Sequence, residues 1–402
     1  MLYLLTTSKR YTQYTSKEIY TMLRELQNLS CLLIKPAGPD CNLRCTYCFY
    51  QDKESLFPAV ERGMTCSASH RMTMNTLEVL TKDALTKAKN QFSFIWQGGE
   101  PTLMGLPFFE KALKLQKKYG AHLQVANAIQ TNGTLIDHAW CDFFKKNDFL
   151  VGVSLDGCEK THNRYRMSKG GAGTHAKVLE NAKKMLDAGV NVNALACVTS
   201  SSAPEVGENY AFLRDAGFQY MQFIPVIEKD QNGKAMDFSV SPKSYGDFLC
   251  ALFDLWLEDF KDGKPTTSIR LFDTLFFTLL GQPAPECGSR KTCGLYLAVE
   301  HTGDVYPCDF FIEKAHRLGS IQEHSLHDLL NSQKQRLFGG AKACLGNDCI
   351  QCQWLGLCGG GCLKDRKNNP DGFETSYFCP SMKCFYAHAV PTLQKIIPHW
   401  RG

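Results

Sequence analysis

The sequence predicts an α/β protein: a partial barrel of six βα units followed by a cysteine-rich C-terminal domain. Three observations carry that prediction. From Cys31 to about Ser200, short β-branched or aromatic runs alternate with amphipathic stretches of helical period, which implies parallel strands joined by right-handed crossovers. Three polar segments, Gln97-Gly98-Gly99-Glu100, Gln130-Thr131-Asn132-Gly133 and Ser154-Leu155-Asp156-Gly157, each follow a candidate strand, where such a barrel carries its functional residues. From about Gly263 the rhythm stops and the chain turns Gly- and Cys-rich.

The candidate strands are Cys31–Lys35, Phe92–Gln97, Leu123–Gln130, Phe149–Ser154, Val190–Thr199 and Tyr220–Val226. The candidate helices are Met74–Lys89, Pro107–Tyr119, Ile136–Asn147, Ala176–Ala188, Pro204–Ala216 and Pro242–Phe260. Six such units stop short of the eight of a closed barrel. A helical extension, Ser16–Gln27, precedes them, and the polar stretch Tyr50 to His70, with Pro58 and Gly63, reads as a surface loop. The resulting division is an extension over 1–30, the barrel over 31–262 and the cysteine-rich domain over 263–402. That last domain, with short strands such as Tyr296–His301 and few helices before its end, has little core of its own. Bound metal would supply the missing folding energy.

Composition excludes some function classes. Of 402 residues, 44% are apolar and 21% charged, as in an ordinary globular chain. A net charge of +5 is too small for a strongly basic nucleic-acid footprint. No run of about 18 apolar residues offers a membrane helix. Met1 to Leu5 is too short for an export signal and Ser8-Lys9-Arg10 follows it, so a cytoplasmic location is expected. The 19 cysteines stand out: an odd number fits a closed disulfide framework badly, and in a reducing compartment clustered thiols point to metal.

Cys41, Cys45 and Cys48 are spaced C-x3-C-x2-C directly after the first strand. A four-iron cluster normally takes four thiolates. Three close ones leave an iron open to chelate a small molecule. A structural zinc site is the competing reading, but it wants two spaced ligand pairs, and no histidine follows until His70.

With Tyr47 in the aromatic place of C-x3-C-x-aromatic-C, the chain resembles the radical S-adenosylmethionine superfamily. The resemblance implies a TIM-like partial barrel and a [4Fe-4S] cluster whose open iron binds the amino and carboxylate groups of S-adenosyl-L-methionine. Electron transfer from the cluster then yields a 5′-deoxyadenosyl radical. It also implies cofactor contacts from Tyr47, Gln97, Gly98, Gly99, Glu100, Ser154 and Arg166. In particular, the backbone of Gly98-Gly99-Glu100-Pro101 would approach the amino group, and the Arg166 guanidinium would suit a carboxylate.

Further on stand Cys287, Cys293, Cys308, Cys349, Cys352, Cys358, Cys362 and Cys379. Their spacing resembles the SPASM extension of radical enzymes that modify peptides and proteins. Eight thiolates match two fully ligated clusters, giving three [4Fe-4S] clusters in all; zinc ribbons are the alternative. Carried over from the family, Cys287, Cys293, Cys308 and Cys362 hold one cluster, and Cys349, Cys352, Cys358 and Cys379 hold the other. Spacing alone does not show that partition. Cys384, five residues beyond Cys379, is the rival for the last place.

Within the superfamily the chain is most similar to anaerobic sulfatase-maturating enzymes, through Leu33-Ile34-Lys35-Pro36, Cys45-Thr46-Tyr47-Cys48-Phe49-Tyr50, Gln97-Gly98-Gly99-Glu100-Pro101-Thr102, Gln130-Thr131-Asn132-Gly133-Thr134-Leu135-Ile136 and Val305-Tyr306-Pro307-Cys308-Asp309-Phe310. That resemblance implies oxidation of a sulfatase cysteine or serine, in a C/S-x-P/A-x-R motif, to Cα-formylglycine. A flavodoxin or ferredoxin-type donor would supply electrons, and the extra clusters would take the second substrate electron. Asp309 matches the family's base. An aspartate's ordinary pKa near 4 suits it badly to a thiol, so the role asks for burial. Two other readings stand beside this one: a SPASM enzyme forming thioether or carbon–carbon crosslinks in a peptide, and a non-enzymatic zinc or iron–sulfur regulator.

Overall fold

The computed structural model describes residues 26–57, 70–367 and 375–397. Its main elements in chain order are β1 (Cys31–Lys35), α1 (Met74–Thr86), β2 (Gln91–Trp96), α2 (Leu106–Tyr119), β3 (Gln124–Thr131), α3 (His138–Lys146), β4 (Leu150–Ser154), α4 (His175–Asp187), β5 (Asn191–Val198), α5 (Val206–Asp215), β6 (Tyr220–Pro225), α6 (Pro242–Glu258), β7 (Ser268–Ile269), α7 (Arg270–Leu279), β8 (Leu297–Glu300), β9 (Asp304–Tyr306), β10 (Gly319–Ser320) and α8 (Cys379–Ile396). The six expected strands and the six expected helices are all present, each within a few residues of its expected ends.

Two compact units divide the described chain. One comprises Leu26–Leu195 with Gly294–Arg336. Here β1 to β5 run parallel in sequence order. The pattern has a local cause: in β2, Phe92, Phe94 and Trp96 are buried at period two, and α2 buries Phe108, Phe109, Ala112 and Leu115 at helical spacing. Together with Trp140, Phe144 and Phe149 they form one aromatic core. Side-chain caps begin α1 and α3. Thr73 accepts from the Thr76 amide and Asp137 from the Trp140 amide, each contributing about 1 kcal/mol.

The unit holds a feature the sequence pattern did not predict. β8 pairs parallel with β1 on the side away from β2, in register Leu32↔Leu297 to Lys35↔Glu300, and β9 folds back antiparallel on β8. All four residues of β8 are buried. The region from Gly263 onward therefore contributes core, contrary to expectation, because Leu297-Ala298-Val299 completes the wall that β1 opens.

The second unit includes Ala196–Cys293 and Leu337–Gly402. In it β6 and β7 are parallel, and α6 packs along α8 through Tyr245 on Phe378 and Phe253 on Phe385. The ten-residue helix α7, with Phe272 and Leu275 buried, corrects the expectation of few helices. Its apolar residues recur at helical spacing in a stretch that the cysteines around it overshadow.

Two sequence expectations meet the limits of the description. The helix Ser16–Gln27 falls almost wholly outside the described residues, and Leu26 and Gln27 are not helical. Of the Tyr50–His70 stretch, residues 58–69 lie outside; the described start is a tight helical turn, Gln51–Leu56. Tyr50 and Phe57 are buried in the cluster of Leu33, Ala298, Tyr306 and Ile312, so this end of the stretch is core rather than a surface loop. No helix among the described residues is long and apolar enough to cross a membrane.

Candidate active site

The loop after β1 carries Cys41, Cys45 and Cys48, and neighbouring loops fix it on two sides. The amides of Arg44 and Thr46 donate to the carbonyls of Met167 (2.9 Å) and Tyr165 (3.0 Å). On the other side, Gly99 N donates to Gly38 O and Glu100 N to Asp40 O, both at 2.8 Å. Gly98 needs its φ of +136° for this turn, and a Cβ on Gly99 would meet the Asp40 carbonyl oxygen at 2.0 Å. The glycine pair is therefore required by the cysteine loop itself, whatever ligand the same backbone approaches.

Glu100 is fully buried. One carboxylate oxygen accepts from Thr102 N at 3.0 Å, Thr102 Oγ1 at 2.5 Å and Thr131 Oγ1 at 2.8 Å. The other accepts from Asn132 N at 2.7 Å. Burial raises its pKa and these four donors oppose the rise. In this structure Glu100 braces loops. Gln97, half-buried, donates its amide to Ile34 O at 2.8 Å.

Arg166 stands over the ring of Tyr47 at 5.3 Å and donates through Nε to Asp156 at 3.0 Å; the Tyr47 hydroxyl donates to the same carboxylate oxygen. Ser154 ends β4 just before this group and is half-buried. His162 holds the turn from behind, with Nε2 3.0 Å from Thr174 Oγ1, which donates to Arg166 O at 2.8 Å. Asp156 and Asn132 were not singled out from the sequence. Both sit in the post-strand segments, and Asn132 Nδ2 reaches 3.6 Å from Cys41 Sγ.

Burial pushes the Cys41 thiol up to about 11, with Glu100 adding to the rise, and the Cys45 thiol up to about 12 against the pull of Arg166. Bare thiolates are thus unfavourable here and want a bound cation. Cys41, Cys45 and Cys48 are free thiols, and three such donors in one pinned loop fit an iron–sulfur cluster.

Asp309 is brought to the same loop. It is buried, and the Tyr296 hydroxyl donates to its Oδ1 at 3.0 Å while lying 3.2 Å from Cys308 Sγ. Phe310, the next residue, packs on Phe49, the neighbour of Cys48, with ring centroids 4.8 Å apart. Tyr296 is a further residue the motifs did not flag; its nearness to Cys308 appears only once β8 and β9 fold together.

The second unit gathers the remaining thiols. Cys349, Cys352, Cys358 and Cys379 line one cavity of about 310 Å³, counting space open to solvent, together with Trp354, Leu355 and Tyr386. This is the set the family resemblance assigned to one auxiliary cluster, and four convergent thiols fit it. Cys384 instead faces Cys250, sulfur to sulfur at 3.8 Å. Lys342 Nζ donates to the carbonyl of Cys287 at 2.6 Å; burial lowers its pKa, and the thiols of Cys293, Cys287 and Cys362 oppose the fall. Cys308, expected as their fourth partner, belongs to the first unit.

Comparison with known proteins shows the family. Residues 36–207 match the Radical SAM superfamily and residues 291–353 the SPASM iron-sulfur cluster-binding domain. A cysteine-type anaerobic sulfatase-maturating enzyme of Clostridium perfringens is 40% identical over 90% of this chain and 96% of its own length. A serine-type anaerobic sulfatase-maturating enzyme of Bacteroides thetaiotaomicron is 33% identical over 90% of this chain and 89% of its own. The solved structure of native anSMEcpe with bound AdoMet and Cp18Cys peptide superposes with a TM-score of 0.83 at 39% identity, covering 92% of this chain and 99% of that one.

Proposed function

We propose that this chain, which belongs to the anaerobic sulfatase-maturating enzymes, oxidises a cysteine or serine in a C/S-x-P/A-x-R segment of a sulfatase to Cα-formylglycine, using S-adenosylmethionine and three [4Fe-4S] clusters. The observation that carries this reading is the side-by-side fixing of two loops. The three-cysteine loop and the Asp309 loop meet through Phe49 and Phe310 at 4.8 Å. A radical source and a base must both reach one substrate carbon and its thiol or hydroxyl.

When bound at Cys41, Cys45 and Cys48, the cluster and S-adenosylmethionine supply a 5′-deoxyadenosyl radical able to take hydrogen from the substrate Cβ. The chain's own residues do the rest. Gly98 and Gly99 keep the cysteine loop close. Glu100 holds the loops after β2 and β3 together. Tyr47, Gln97, Ser154 and Arg166 would contact S-adenosylmethionine, and Asp156 orients Arg166 and Tyr47. Asp309 Oδ1 takes the substrate thiol or hydroxyl proton, oriented by the Tyr296 hydroxyl. Cys349, Cys352, Cys358 and Cys379, and Cys287, Cys293, Cys308 and Cys362, would hold two auxiliary clusters able to accept an electron, and a flavodoxin or ferredoxin-type protein would supply electrons, in a reducing cytoplasm.

Anaerobically reconstituted, reduced protein incubated with C-x-P-x-R and S-x-A-x-R peptides tests the proposal by mass. The higher identity to a cysteine-type relative makes the cysteine peptide the first to try. An aldehyde-bearing product supports it. Deoxyadenosine formation with both peptides left intact defeats the substrate assignment.

A further inference from the structure

Two cations are buried beside the auxiliary thiols. Lys342 and Arg366 are both fully buried. Lys342 Nζ donates to the carbonyls of Cys287 at 2.6 Å and Gly288 at 2.8 Å. Arg366 donates through Nε to Gly360 O at 3.0 Å and through Nη1 to Cys344 O at 3.1 Å. Its Nη2 has no hydrogen-bond partner among the described residues. The backbone is shaped around that nitrogen: Gly360 has φ +79°, and a Cβ there would meet Nη2 at 2.4 Å.

A buried cation without a counter-ion is strongly destabilising. Asp365 is the acid that feels Lys342, and one carboxylate does not balance two cations. Lys364, next in the chain, is already paired with Glu228 at 2.7 Å. The remaining charge partners are thiols. Lys342 is bonded to the backbone of Cys287, and Cys293, Cys287 and Cys362 oppose the fall that burial imposes on it. Gly360, whose carbonyl Arg366 binds, stands two residues from Cys358 and from Cys362 and lines the cavity of Cys349, Cys352, Cys358 and Cys379, which sets Arg366 beside members of both proposed ligand sets.

We propose that Lys342 and Arg366 are the counter-cations of the two auxiliary clusters, with Arg366 shared between them, and that they raise the cluster potentials so that the second substrate electron is accepted. A cluster ligated by four thiolates is a net anion, and one further electron makes it more so. A fixed positive charge nearby stabilises the reduced form more than the oxidised one, and net charge and hydrogen bonds to sulfur set such potentials. Both residues are positioning residues acting through the clusters, and the inference rests on the cluster assignment of the proposed function.

The test uses the full chain, reconstituted anaerobically, with iron and sulfide analysis and a redox titration followed by electron paramagnetic resonance. Wild-type iron content separates the two readings: clearly less than about twelve irons per chain defeats the cluster assignment itself. With that content established, Lys342→Gln should move an auxiliary midpoint to more negative potential, and Arg366→Gln should move both. The expected size is at least a tenfold change in electron partition, about 59 mV for one electron. Lys342→Arg and Arg366→Lys should largely restore the wild-type values. Should a Gln variant lose its clusters, the charge-keeping variant decides. Retention there supports a counter-charge, and loss in both overturns the proposal. Unmoved midpoints at full iron content also overturn it.

Discussion

The carbonyl oxygen of Asp40 lies only 2.0 Å from where a Cβ on Gly99 would stand. The residue before Cys41 and the second glycine after β2 are thus fitted backbone to backbone, and the hydrogen bonds from Gly99 and Glu100 close the fit.

Gly99→Ala should therefore act on the cluster loop first. The clash is with main chain and has no flexible side chain to relieve it, so a cost of at least about 1–3 kcal/mol is expected. Iron bound at the three-cysteine site and S-adenosylmethionine cleavage should fall together. Normal values of both would show that the loops part without consequence.

Replacing Cys41, Cys45 and Cys48 together by alanine should abolish cleavage while leaving about two-thirds of the wild-type iron. Cleavage retained by that triple variant would remove the radical assignment.

Cys349→Ala or Cys358→Ala opens the cavity that Cys352 and Cys379 also line. Metal binding and folding are linked there, so about a third of the iron should go and the thermal transition should drop. A variant with full iron and an unchanged transition would show that these thiols are not ligands.

Asp309→Asn keeps size and the contact to Tyr296 but accepts no proton. Deoxyadenosine should still form, while formylglycine falls by roughly 100- to 10,000-fold. A parallel loss of iron and of both products would instead make Asp309 a brace of the Cys308 loop. Normal iron with a normal aldehyde yield would exclude it as the base, leaving His301 and Tyr306 to test.

His162 sets a pH dependence of stability. Burial, then the charge of Arg166, hold its pKa down to about 2, so the folded protein keeps it neutral while the unfolded chain binds a proton below about pH 6.5. Stability from this group is whole above that pH and is lost as pH falls. Between about pH 7 and 5.5 the loss is about 1 kcal/mol. His175, lowered mainly by burial, acts with the same sign. Urea midpoints at both pH values should diverge less in His162→Gln than in wild type, and equal divergence would refute the assignment.

Much of this was legible in the sequence because it is local. The period-two aromatics of β2 and the helical spacing of α2 announce themselves within a few residues, as does C-x3-C-x2-C. The pairing of β8 with β1 was not legible, since Leu32 and Leu297 are far apart in the chain and each reads only as a short apolar run. The same distance hid Tyr296 beside Asp309. Lys342 and Arg366 escaped for another reason: a lysine or arginine in a polar stretch looks solvated, and only burial reveals it.

Glu100 takes donors from Thr102, Thr131 and Asn132, and its own amide is held by Asp40. The loops after β1, β2 and β3 are thereby latched at one residue, through its amide and its carboxylate, and a change of length in one needs a matching change in the others. A mutagenesis library aimed at new substrate peptides would lose most of its members in those three loops. Room to vary lies outside the latch.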